Sequence, residues 1–171
     1  MDLNPPVGRM RSLFTALPLL GVLGCAGGAQ VTKATPQGPV LGADHIGLAV
    51  SDLEASKTFF IDVLGFRIKG EEKEYPAYYL ENGHITITLW RVTDPATAIA
   101  FNRKANVGLH HLALGVRSFE VLEALHQRLL TYPGVKIDFA PKLSYGGPDK
   151  HMMFFEPSGN RLELVHRVPK N

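Results

Sequence analysis

The sequence has few of the residues on which several common kinds of site depend. It holds a single cysteine, Cys25, so it can form neither an intrachain disulfide nor a cluster of thiolate metal ligands. It has no glycine-rich phosphate loop, and no spacing of serine, histidine and aspartate typical of a hydrolase triad stands out. The net charge is only +2, without a basic stripe, which argues against nucleic acid as a partner.

The sequence also lacks an apolar run long enough to cross a bilayer in its first forty residues. The run from Leu13 to Leu23 is short, follows Arg9 and Arg11, and ends at Gly24 and Cys25. We therefore expect a secretory signal peptide over residues 1–24. The small residue before Cys25 resembles the lipobox of bacterial lipoproteins, which implies cleavage before Cys25 and lipid attachment to it.

The predicted anchor places the protein in the bacterial cell envelope, facing the periplasm or the outside, with the membrane as a partner through Cys25. A plain signal peptide or an unstructured extension is the alternative. Residues 25–43 contain much glycine, proline, threonine and glutamine, which predicts a flexible tether. Glutathione-type thiols belong to the reducing cytosol, so this location argues against thiol-dependent reactions.

A repeated motif gives the strongest evidence about the fold. The segment 45–50 reads HIGLAV and the segment 111–116 reads HLALGV. Side chains alternate between the two faces of a strand, so each segment has one branched face and one face with a histidine followed by small residues. Such self-similarity predicts two equivalent units, and the small faces leave room for a pocket.

Each unit is predicted to contain a strand, a helix and three further strands. Ser51 and Glu54 form a capping-box pattern at the start of the first helix, and Ser118 is the expected cap of the second. The predicted helices span 52–64 and 119–131. The predicted strands span 44–50, 66–70, 76–81, 84–91, 110–116, 135–139, 151–156 and 160–167.

These patterns resemble the vicinal oxygen chelate superfamily, which includes glyoxalase I, extradiol dioxygenases, and bleomycin- and fosfomycin-resistance proteins. The motifs that carry the resemblance are 44–46 with 51–53, 59–60 with 64–66, 111–113, and 154–164, which reads FFEPSGNRLEL. The resemblance implies an α+β fold in which two tandem βαβββ modules, 44–92 and 109–168, form a domain over 44–168. It further implies a curled mixed sheet around a cavity, with the helices outside.

The resemblance also implies a set of metal ligands. The family takes ligands from the first and last strands of each module, which correspond here to His45, Thr88, His111 and Glu163. The neutral hydroxyl of Thr88 is a poor ligand, so three good ligands remain: His45, His111 and Glu163. Two histidines and one carboxylate with open positions favour Fe(II), with Mn(II) and Zn(II) as alternatives.

Further residues are candidates for the same cavity. His110 is an alternative to His111, although strand alternation directs it outward. Four residues on or beside the ligand strands are candidate substrate contacts: Tyr78, Thr88, Trp90 and His151. For Tyr78 and His151, a purely structural role is the competing interpretation.

We therefore expect a metal-dependent protein that acts on a small oxygen-rich molecule, by isomerase, lyase or dioxygenase chemistry. A metal-free protein that binds or sequesters a small molecule in the same cavity is the alternative, and a noncatalytic partner domain is a third. The two modules could pair within one chain or be exchanged between the two chains of a homodimer.

Overall fold

Each half of the chain folds as a strand, a helix and three strands, in the computed structural model, which describes residues 38–169. The elements of the first module are β1 (His45–Val50), α1 (Leu53–Asp62), β2 (Arg67–Glu72), β3 (Ala77–Glu81) and β4 (Thr86–Arg91). Those of the second module are β5 (Leu112–Gly115), α2 (Phe119–Leu130), β6 (Lys136–Leu143), β7 (Lys150–Phe155) and β8 (Arg161–His166).

The strands form two mixed sheets of four strands, in the orders β1-β4-β3-β2 and β5-β8-β7-β6. The first strand of each module pairs in parallel with the last strand, and all other pairs are antiparallel. The α+β class and the two βαβββ modules expected from the repeat are thereby confirmed. The first strand of each module also lies at an edge of its sheet.

The repeated strands bury the face with branched side chains and expose the face with small residues, as their sequence predicts. Leu48 and Val50 on β1 are buried in the core, whereas Gly47 and Ala49, which alternate with them, are exposed. Helix α1 contacts β3 and β4, and helix α2 contacts β6, β7 and β8. Each sheet is thus covered by a helix on one face, while its small-residue face is open.

The first helix does not begin as the capping-box pattern predicts. Asp52 is its N-cap, and its Oδ1 accepts a hydrogen bond of 2.9 Å from the amide of Ala55. The predicted pairing of Ser51 with Glu54 is therefore wrong, because the cap lies one residue later and Glu54 bonds to Lys57 and Tyr78 instead. The prediction for α2 is confirmed, since the side chain of Ser118 accepts from the amide of Val121.

The two modules meet where α1 packs against the β7–β8 turn of the second module. The ring of Phe59 on α1 packs against Tyr132 and Phe154, with centroids 5.4 and 5.9 Å apart. Beside these rings the carboxylate of Glu156, which is 1% exposed, accepts a hydrogen bond of 2.6 Å from the Ser56 hydroxyl. A buried hydrogen bond and a set of aromatic contacts therefore join the modules.

Glu156 also fixes its own turn, because its Oε1 accepts from both the backbone and the side-chain nitrogen of Asn160, at 3.0 and 2.9 Å. The same Asn160 side chain donates to the carbonyl oxygen of Ala49 on β1, at 2.9 Å. These bonds hold the start of β8, and hence the residues that follow it, in a fixed place relative to β1.

Within residues 38–169, no helix is long and apolar enough to span a membrane. The predicted signal peptide, the lipidation site Cys25 and most of the tether lie outside the described residues. The anchor and the location that follows from it stay predictions.

We expect Glu156→Ala to lower the free energy of unfolding by about 3 kcal/mol, because it removes a buried charged acceptor and leaves the Ser56 hydroxyl and the Asn160 donors without it. Urea denaturation of the variant and of the wild type measures the change. Glu123→Ala, on the exposed side of α2, is the control and should change the value by less than about 0.5 kcal/mol. Equal effects of the two substitutions would contradict the role assigned to Glu156.

Candidate functional site

A buried carboxylate lies at the centre of the candidate site. Glu163 on β8 is opposite Ala113 of β5, and its side chain is only 9% exposed. Its Oε1 lies 2.6 Å from Nδ1 of His151 on β7, and its Oε2 lies 2.9 Å from Nε2 of His111. Because a buried carboxylate is costly unless it is paired, these two imidazoles permit the charge to lie here.

The two histidines reach Glu163 from opposite sides. β8 lies between β5 and β7, so His111, directly before β5, and His151, on β7, approach from the neighbouring strands. Phe139 on β6 packs against the ring of His151, with centroids 5.0 Å apart. The arrangement is fixed by strand pairing and an aromatic contact.

His110 contacts the site only through its neighbour. Its Nδ1 lies 2.8 Å from Nδ1 of His111, and its ring is exposed. Desolvation lowers the pKa of His110, and the positive charges of Arg161, His111 and Arg103 lower it further. Of the two adjacent histidines, His111 contacts the carboxylate, and His110 is placed to orient the His111 ring.

His45 is not brought to this cluster within the described chain. It occupies the equivalent place at the start of β1, but its Nδ1 bonds to Asp44 at 2.7 Å and its side chain is 56% exposed. Among residues 38–169, no group of three or more acidic, histidine or cysteine side chains is arranged to hold a metal ion. The predicted set of His45, His111 and Glu163 stays a prediction, of which the structure brings together two members.

Thr88 and Trp90 lie on the open face of the first sheet. Thr88 is buried, and its Oγ1 accepts a hydrogen bond of 2.9 Å from Nε1 of Trp90. Gly47 faces this pair across the β1–β4 ladder, and a Cβ at its position would lie 3.3 Å from Oγ1 of Thr88. Glycine thus leaves space beside Trp90, the protein's single tryptophan.

Tyr78 on β3 lies on the opposite face of the first sheet from Thr88 and Trp90 on β4. Its hydroxyl donates to Glu54 of α1 at 2.9 Å, and the Lys57 amino group lies over its ring. The residue that faces Thr88 is Tyr79, whose ring packs on Trp90 with centroids 5.9 Å apart. A count of alternating positions back from Thr88 leads to Tyr78, and only the register of the hairpin, which pairs Glu81 with Thr86, identifies Tyr79.

Arg161 is a second residue that the sequence analysis did not select. It lies on β8, two residues before Glu163, and pairs with Asp138 through Nε and Nη2. The sequence could have identified Arg161 because it lies two residues before Glu163, and residues two apart on a strand share one face.

The sequence pattern of the Glyoxalase/Bleomycin resistance protein/Dioxygenase superfamily matches residues 42–164. The chain belongs to this superfamily. Among curated proteins it is 31% identical over 129 residues to the uncharacterized protein YwkD of Bacillus subtilis (strain 168), a match that covers 72% of this chain and 94% of YwkD.

A second superfamily relative has a named activity. The chain is 38% identical over 80 residues to catechol-2,3-dioxygenase of Bacillus subtilis (strain 168), which covers 44% of this chain and 27% of that protein. Among solved structures, a glyoxylase/bleomycin resistance protein/dioxygenase domain from Frankia sp. EAN1pec matches with a TM-score of 0.64 and 20% identity, over 77% of this chain and 96% of that one. This last likeness confirms the superfamily fold.

Thr88→Val should remove the acceptor of the Trp90 indole and lower the free energy of unfolding by about 1 kcal/mol. Because Trp90 is the single tryptophan, its fluorescence emission reports the change directly. We expect a shifted emission maximum in the folded variant. Thr97→Val, whose hydroxyl bonds to Asp94 in an exposed turn, is the control and should leave the emission unchanged. An unchanged spectrum in Thr88→Val would contradict the Thr88–Trp90 bond.

Proposed function

We propose that this protein is a metal-dependent member of its superfamily that acts on a small oxygen-rich molecule by isomerase, lyase or dioxygenase chemistry. The observation that supports this most is the 2.9 Å contact between Nε2 of His111 and Oε2 of Glu163, beside the open face of β5. Imidazole and carboxylate groups are ligands that Fe(II), Mn(II) and Zn(II) share.

The surroundings of these two groups suit a bound cation. His111 can present its Nε2 either to Glu163 or to a cation, because its Nδ1 lies 2.8 Å from Nδ1 of His110 and can hold the ring proton. In the first state the Nε2–H donates to Glu163, and in the second the Nε2 lone pair and the Glu163 carboxylate bind the cation together. His151 holds the other oxygen of Glu163, as the outer partners of metal ligands commonly do.

A second copy of the chain completes the ligand set in this proposal. His45 is exposed at the start of β1, an edge strand, and His111 directly precedes β5, which is also an edge strand. Unpaired strand edges are surfaces that a second subunit can cover. The connector between β4 and β5 adds exposed apolar side chains beside them, which are Ile99, Val107 and Leu109.

A divalent ion held by these residues would supply Lewis acidity that polarises two adjacent oxygens of a substrate. The residues of this chain do the rest: His111 and Glu163 fix the position of the ion, His151 and His110 keep both ligands oriented, and the open face of β5 admits the substrate. Glu163 bonds to His151 through Oε1, so a proton can pass between these two groups next to the bound molecule.

A metal-free binding protein is the second candidate. It is favoured by the direct pairing of Glu163 with two imidazoles, which already satisfies the carboxylate without a cation. The two candidates differ in metal content, and the first experiment below separates them.

Protein purified without chelators should contain close to one Fe(II), Mn(II) or Zn(II) per chain by elemental analysis. His111→Ala and Glu163→Gln should lose the metal, because each removes a direct ligand. His151→Gln should retain a site whose affinity is weaker by about 10- to 100-fold, as expected for an outer partner of a ligand. His84→Ala, in the exposed β3–β4 turn, is the control and should keep full occupancy. Metal-free wild type together with tight binding of a small molecule would favour the second candidate.

Co-expression of two differently tagged variants tests the origin of the third ligand. His45→Ala and His111→Ala should each lack metal when expressed alone. A heterodimer isolated through both tags should contain one intact site, built from His45 of one copy and His111 and Glu163 of the other. A heterodimer without metal, or a wild type that sediments as a monomer while holding full metal, would refute the shared site.

A further inference from the structure

Arg161 is a buried positive charge that the proposed metal site does not use. It begins β8, two residues before Glu163, and it precedes the Leu162–Leu112 pair just as His111 does on the neighbouring strand. Residues two apart on a strand are about 7 Å apart and neighbouring strands are about 5 Å apart, and these side chains share one face. Arg161 therefore lies next to the His111–Glu163 pair.

Only some of the hydrogen-bond donors of the Arg161 guanidinium group have an acceptor. Its side chain is 8% exposed, and its Nε and Nη2 both donate to the same oxygen of Asp138, at 3.0 and 2.6 Å. Nη1, on the other side of the planar group, is buried and has no hydrogen-bond partner among the described residues. Buried donors are nearly always paired in folded proteins, so this one points to a group that binds there.

The charges around Arg161 favour an anion. Nη2 of Arg103 lies 3.9 Å from the Asp138 carboxylate, so two guanidinium groups share one carboxylate and a positive charge is left over. The carboxylate of Glu163, on the same face, is already paired with two imidazoles. A planar guanidinium with a free edge is the side chain best suited to bind carboxylate or phosphate oxygens.

Arg161 also lines a cleft that a small molecule can enter. The cleft has a volume of about 400 Å³ and is bordered by Gly47 and Ala49 of β1, by Phe101 of the connector, and by Ser158 and Asn160 of the β7–β8 turn. Its walls therefore come from both modules and include the small face of β1. His111 and Glu163 are not part of this lining, and Arg161 is the residue that connects the cleft to them through the register of β5 and β8. Nη1 itself is covered, so an anion in the cleft can contact it only if the wall beside Arg161 shifts.

We infer that Arg161 is the anion-binding residue of this site, and that the substrate carries a carboxylate, phosphate or phosphonate group a few bonds away from the oxygens directed at His111 and Glu163. The inference rests on the proposed function in one respect, that both groups belong to one substrate. It narrows the class of substrate from oxygen-rich molecules to oxygen-rich anions.

The test measures binding by calorimetry with the full chain, first freed of metal and then loaded with Mn(II). Inorganic phosphate probes the anion subsite alone, and glycerate and glycerol form a pair that differ in charge but both carry adjacent oxygens. We expect phosphate and glycerate to bind the wild type and glycerol to bind at least about tenfold more weakly. Phosphate should bind the metal-free protein, so this readout is independent of the proposed metal site.

Variants assign the effect to Arg161. Arg161→Met should weaken phosphate and glycerate about 10- to 100-fold and remove the preference for glycerate over glycerol. Asp138→Asn should tighten both anions severalfold, because it removes the competing carboxylate. Arg67→Met, which breaks the exposed pair of Arg67 with Glu81, is the matched control and should change nothing.

Three outcomes would overturn the inference: no binding of either anion to the wild type, equal affinities in the wild type and Arg161→Met, or anion binding that is weaker in Asp138→Asn. The emission of Trp90 and the melting temperature show whether each variant is folded. Should Arg161→Met fail to fold, Asp138→Asn decides by the sign of its effect. If the wild type binds no metal but binds phosphate and glycerate as expected, only the proposed function is refuted.

Discussion

The candidate site depends on one interaction, the pairing of the buried Glu163 carboxylate with imidazoles on both sides. A carboxylate that is nine-tenths buried between strands must be neutralised or coordinated, and His111 and His151 are within 3 Å of its two oxygens. Strand pairing places all three, because β8 lies between β5 and β7. The same pairing sets Arg161 beside them, so the local chemistry follows from the register of the second sheet.

The division of each first strand into a branched and a small face determines the architecture. Leucine and valine side chains pack against helices, and glycine and alanine leave the opposite faces open. The modules are then joined by the hydrogen bond between Ser56 and Glu156 and by the ring of Phe59. Asn160, which Glu156 holds in place, borders the cleft beside Arg161, so the contact between the modules also shapes one wall of the site.

Strand alternation with a period of two made much of the site predictable. It assigned the faces of β1 and β5 correctly, and it preferred His111 to its neighbour His110, in agreement with the contact to Glu163. The same rule exposes its weakness at Tyr78 and Tyr79, because a shift of one residue moves a side chain to the opposite face. The capping-box pattern favoured Ser51 as the cap of the first helix, one residue before the cap that the structure shows, Asp52.

Other features could not be read from the sequence because they depend on partners distant along the chain. The Ser56–Glu156 bond spans a hundred residues, and the partly satisfied guanidinium of Arg161 depends on Asp138 from another strand. Whether His45 lies near His111 and Glu163 depends on how the two modules pair, and the periodicity within one strand does not determine that pairing. The sequence therefore identified candidate ligand residues but not which of them the fold brings together.

The most direct measurement of the central claim is a crystal structure of the full chain soaked in Mn(II), with diffraction data collected at the manganese absorption edge. The account predicts an anomalous peak between Nε2 of His111 and Oε2 of Glu163, within bonding distance of both, with His45 of a second copy as a further ligand. Direct bonding between His111 and Glu163 that persists at saturating Mn(II), with no peak between them, would contradict it.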